Sequence, residues 1–144
     1  MRSDQTLVAL TLTVGFVAGT AAGEPKGAKY TCTADKNTVS HYLTVQVHDD
    51  KVESFNYMAA TPASGDVSSC TVDSLGARST DIGPGVQSFQ TAAGTVVVTR
   101  KAKQINFDFT KLSVSDVCGQ SSTLAAHVDL KPGSKRCTGV SNRE

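Results

Sequence analysis

Residues 104–110 read Gln104-Ile105-Asn106-Phe107-Asp108-Phe109-Thr110, with three large apolar side chains alternating with polar ones. A period of two puts alternate side chains on opposite faces of an extended chain, so this stretch is a strand with one face in a core and one in water. The same alternation runs through Tyr42 to His48, with Leu43, Val45 and Val47 on one face. It recurs from Thr123 to Leu130, with Leu124, Ala126, Val128 and Leu130. Weaker runs complete a set of nine expected strands at 28–34, 42–48, 51–58, 67–73, 86–91, 95–100, 104–110, 123–130 and 136–140. Turn-forming residues separate nearly all of them: Asp49-Asp50, residues 62–66, Gly83-Pro84-Gly85, Ala92-Ala93-Gly94 and Pro132-Gly133-Ser134. Beyond Gly27 no ten-residue stretch sustains a helical stripe. The expectation is an all-β, small antiparallel β-barrel or sandwich of about eight to nine strands in a meander.

Composition agrees. The 144 residues include 17 Val and 32 Ser or Thr, and β-branched side chains favour a pleated surface over a helix. Fourteen Lys and Arg against 13 Asp and Glu leave a net charge of +1, which removes the general electrostatic case for nucleic acid.

The amino terminus reads differently. Arg2 precedes an apolar core at residues 7–18 (LVALTLTVGFVA), followed by the small residues 19–23. This pattern is that of a signal peptide over residues 1–23, cleaved after Ala22 or Gly23. Twelve residues rise only about 18 Å as a helix, short of a hydrocarbon layer of about 30 Å, so no membrane span is expected. A single domain over 24–144, periplasmic or secreted, follows.

Cys32, Cys70, Cys118 and Cys137 all fall in the mature chain. An even count in an exported protein implies two disulfides. Their spacing contains no CxxC or CxxxC pair, so neither a metal site nor any other cofactor is expected. Three pairings are open; sorting the loops by which end of a meander they occupy favours Cys32–Cys118 with Cys70–Cys137.

The three histidines offer proton-transfer chemistry. His41 and His48 are an odd number of residues apart on one strand and face opposite ways. His127 and Asp129 share a face, so a small hydrolase or nuclease using His127 with Asp129 or His41 is one reading. No nucleophile motif (GxSxG, HExxH) or phosphate loop supports it. Asp49-Asp50 supplies too few oxygens for calcium, and no Asn lies in an N-x-S/T context.

The most distinctive connection is residues 74–85 (SLGARSTDIGPG), read as a twelve-residue glycine-bearing loop; loops of that length are often functional. Alternating turns place it at the same end as Arg100, Lys101 and Lys103 and as Lys131, Lys135 and Arg136, which together form a basic rim. The expected binding residues are Ser74, Gly76, Arg78, Asp81, Lys101 and Lys103. No exposed aromatics alternate with these bases, so the partner expected is a protein with an acidic patch or cleft and not nucleic acid.

Several segments resemble the exported inhibitors of C-type lysozyme. Tyr30-Thr31-Cys32 is similar to that family's opening Tyr-x-Cys strand. Residues 75–81 (LGARSTD) look like its Ser-Gly-x-x-Tyr loop with a following Thr-Asp. Residues 89–98 are similar to its later hairpin, and Cys118 falls where a closing Cys stands. Leu75, Ser79 and Ala93 replace the family's loop Ser, Tyr and Lys, leaving Ser74 as the nearest hydroxyl. The resemblance implies a small antiparallel barrel that is not an enzyme and that inhibits a wall-degrading enzyme such as lysozyme, with Arg78 and Ser74 in contact. A hydrolase and a structural envelope protein are the alternatives.

Overall fold

The computed structural model describes residues 27–62 and 67–143; the expected signal peptide at 1–23 and most of the expected turn at 62–66 lie outside the described residues. Ten strands form two antiparallel sheets. The first holds β1 (Ala28–Lys36), β2 (Val39–His48), β3 (Lys51–Pro62) and β4 (Val67–Asp73) in chain order. The second holds β5 (Arg78–Gly83), β6 (Val86–Thr91), β7 (Gly94–Lys101), β8 (Gln104–Leu112), β9 (Ala125–Leu130) and β10 (Thr138–Asn142), again neighbour to neighbour. A single helical turn, α1 (Val114–Val117), interrupts the β8–β9 connection. No described helix is long and apolar enough to cross a membrane.

The sheets pack face to face as a sandwich and do not close into a barrel. Phe55 of β3 meets Phe89 of β6 and Phe107 of β8 at ring-centroid distances of 5.2 and 5.3 Å, and Tyr57 meets Phe109 at 4.6 Å. The alternating side chains Leu43, Val45, Ile105, Phe107, Phe109, Val128 and Leu130 are all buried between them, as the period of two requires. Two-residue hairpins at Asn37-Thr38 and Asp49-Asp50 take positive φ at both positions, the turn whose twist matches that of the flanking strands.

Two expectations are corrected. Residues 74–85 are not one long loop: β5 occupies their centre, pairing with β6 from Arg78↔Gln90 to Gly83↔Val86. All six of its residues are exposed, because it is an edge strand reaching past the core. Without a buried face it carries no alternation to read.

The disulfides are Cys32–Cys137 and Cys70–Cys118. Sorting cysteines by end failed because it ignored which sheet edge each occupies. Cys32 lies on β1, where Thr33 N donates to Lys135 O and Cys137 N to Thr33 O, both at 2.9 Å. That parallel bridge joins one edge of each sheet. Cys118 instead lies against β4, with Gly119 N donating to Ser69 O at 3.0 Å.

Candidate functional site

β4 stops at Asp73, opposite Asn56 of β3, which leaves the 51–55 segment of β3 with β2 on one side and no strand on the other. Two polar side chains take that role. Ser74 Oγ accepts from Phe55 N at 2.8 Å and donates to Phe55 O at 3.2 Å. Gln87, reaching across from β6, accepts from Val52 N at 2.8 Å and donates to Val52 O at 3.0 Å. Ser74 is therefore 8% exposed and occupied by the fold. Its hydroxyl is not presented at the surface.

The other expected binding residues separate into three places. Gly76 is exposed in the 74–77 turn at φ +73, with nothing within 4 Å of an added Cβ. Arg78 starts β5 opposite Gln90, which in turn faces Thr95. Lys101 lies six residues beyond Thr95 along β7, roughly 20 Å at strand rise, so Arg78 and Lys101 do not share a surface. Asp81 pairs with Lys51 across the sandwich edge. It lines a hollow of about 280 Å³ with Asp49, Asp50 and Arg100, whose Nη2 is 3.7 Å from Asp50 Oδ1.

Lys101 and Lys103 do lie beside Lys131, Lys135 and Arg136. Arg100 pairs with Ile105 and Ile105 with Leu130, so the β7–β8 turn lies beside the connection from β9 to β10. Lys101, Lys103, Lys131, Lys135 and Arg136 are all exposed on these two turns. Among the described residues none of the five has a carboxylate within ion-pair distance. Asp129, the acid beside Lys101 in a hollow of about 300 Å³, instead accepts from Asn106 Nδ2.

The histidines are not brought together. His127, on the outer face of the second sheet, has Nδ1 4.0 Å from Asp108 Oδ1, the residue opposite it on β8. The expected partner Asp129 is engaged by Asn106 instead. Burial alone would raise the Asp108 carboxyl; bonds from Thr110 N and Oγ1 at 2.8 and 2.6 Å, with the charges of His127 and Lys111, outweigh it and hold it below its ordinary value. His48 stands at the β2–β3 turn, Nδ1 3.8 Å from Asp49.

His41 is fully buried between the sheets. Its Nδ1 is 2.8 Å from Tyr57 Oη, which also accepts from Ala125 N at 3.1 Å. Burial disfavours a second proton on this imidazole, whose Nε2 has no hydrogen-bond partner. Burial pushes the His41 pKa down and that of Tyr57 up to about 12. His41 occupies the inward slot of the 39–47 alternation, so its burial was available from parity alone. Among the described residues no three of His, Cys, Asp and Glu converge to hold a metal ion.

Fold and disulfides together define a class: a two-sheet antiparallel sandwich with one disulfide tying β1 to the segment before β10 and one tying β4 to the segment after α1. Comparison of the chain with protein-family models, with curated proteins and with solved structures finds no match.

Proposed function

We propose that this chain is an exported, non-enzymatic binding protein, periplasmic or secreted, whose two basic turns engage an acidic surface or cleft of another exported protein. The specific partner is a wall-degrading enzyme such as a C-type lysozyme. The observation that carries this reading is the group of five exposed cations at 101, 103, 131, 135 and 136, none in an ion pair among the described residues. Cations without an internal partner are free to complement a partner's carboxylates, and such complementarity contributes chiefly to association rate and specificity. Ser74 has no part in this contact, since both of its hydrogen bonds go to Phe55.

The test is bacterial cell-wall lysis by a C-type lysozyme, titrated with oxidised protein beginning at residue 24. Stoichiometric inhibition that weakens about tenfold or more in Lys101→Ala/Lys103→Ala, with unchanged thermal stability, is the expected result. No inhibition at large excess overturns the lysozyme reading, and unchanged affinity in the double variant overturns the site.

A second reading, a small hydrolase, rests on the His127–Asp108 pair, in which the carboxylate faces Nδ1 and leaves Nε2 for proton transfer. Loss of turnover in His127→Ala without unfolding would support it.

A further inference from the structure

We infer that the seam between β1 and β10 is a binding site for a small, multiply charged oxyanion, such as phosphate or a dicarboxylate. Lys29, Thr31, Thr33 and Lys135 surround a hollow of about 500 Å³ there, with Cys32 at its base. That volume is in the range of small-ligand sites. Two lysines and two threonines are among its lining residues, and no carboxylate is. Among the described residues neither Lys29 nor Lys135 forms an ion pair.

The site is also held in place from below. Lys29, Thr31 and Thr33 are alternate, exposed residues of β1 and so share one face, spaced at about 6.6–6.8 Å per pair. Lys135 is fixed opposite them, because its carbonyl accepts from Thr33 N at 2.9 Å. The Cys32–Cys137 disulfide ties the same two segments together. Neither side of the cleft can move away from the other without breaking backbone bonds, so binding has the two exposed lysine side chains to order and not the backbone beneath them. Two ammonium groups on opposite sides favour an anion carrying more than one negative charge, and hydroxyls donate to oxyanion oxygens. This inference does not depend on the choice of protein partner, since its test contains none.

The experiment is titration of the oxidised protein with sodium phosphate, and separately with malonate, followed by amide chemical shifts at constant ionic strength set with chloride. Expected are saturable shifts confined to residues 29–33 and 134–137. They should be lost in Lys29→Gln/Lys135→Gln, while the amide spectrum elsewhere is retained. Saturation with both anions assigns the site to charge, and with only one assigns it to that anion's geometry; either supports the site. Linear shifts, shifts equally large at Lys101, Lys103 and Lys131, or shifts unchanged in the double variant overturn it. If the double variant misfolds, Thr31→Val, which removes one hydroxyl and no charge, must weaken binding severalfold.

Discussion

Gln87 of β6 closes both backbone hydrogen bonds of Val52 in β3, its Oε1 2.8 Å from Val52 N and its Nε2 3.0 Å from Val52 O. A side-chain amide thus does the work of a missing strand, and does so across the gap between the sheets. Val52 is only 2% exposed, so water cannot substitute. Gln87→Leu would leave a buried N–H and C=O unpaired, at about 1–3 kcal/mol each. Urea unfolding should show a loss of roughly 2–6 kcal/mol. A loss below about 0.5 kcal/mol would mean that the gap closes by other means.

Ser74 acts alongside it on Phe55, and its variant separates structure from recognition. Ser74→Ala should cost about 1–2 kcal/mol of stability, since the Phe55 N–H loses its acceptor. Affinity for any partner should stay within twofold. A large affinity loss at unchanged stability would return this hydroxyl to the binding surface.

The contrast between what was legible and what was not follows from burial. Ile105, Phe107 and Phe109 announce β8 because one face of the strand meets a core, and the same holds for Leu43, Val45 and Val47 in β2. β5 has no buried residue, so Arg78 to Gly83 looked like loop and Ser74, Arg78 and Lys101 looked like neighbours. Edge position is a property of the assembled sheets and leaves no local pattern. The basic turns lie beside each other because neighbouring antiparallel strands alternate in direction, which holds across the long β8–β9 connection as across a short hairpin. His41 was readable by parity, whereas the tie from Tyr57 to Ala125 of the other sheet was not.

The disulfides should differ in their contributions. Cys32–Cys137 spans 105 residues and Cys70–Cys118 spans 48. On chain entropy these are worth roughly 5 and 4 kcal/mol. Cys32→Ser/Cys137→Ser should therefore be the less stable double variant by thermal unfolding, and it also frees the β1–β10 seam. Equal melting temperatures would show that loop length does not govern stability here.

Gly94 tests the β7–β8 register. It sits at φ +130, and an added Cβ would lie 2.3 Å from Lys111 O and 3.2 Å from Leu112 Cα. Backbone cannot yield cheaply, so Gly94→Ala should destabilise by more than the ~1 kcal/mol of conformational strain alone. Gly133 is the control: at φ +87 nothing lies within 4 Å of its added Cβ. Gly133→Ala should show the strain and nothing more, and equal losses at the two sites would sink the steric account.

Acid should act through His41. Desolvation by burial lowers its pKa, opposed by the negative charge of Asp35 and aided by Lys36. A second proton would place a charge between the sheets, with one imidazole N–H facing Tyr57 Oη and the other, on Nε2, without an acceptor. The unfolded chain binds that proton more readily near pH 6.5, so protonation favours unfolding. Stability from this group is complete above pH 6.5 and falls as pH drops from there through the folded-state value. Tyr57 has the opposite sign: raised to about 12, it adds stability below pH 10 that is lost as pH climbs from 10 to 12. Stability measured from pH 4 to 8 should decline on the acid side, and His41→Gln should flatten that decline while lowering stability at pH 8. If the imidazole resonances of His41 titrate at 6.5 or above in the folded protein, the buried neutral ring is refuted.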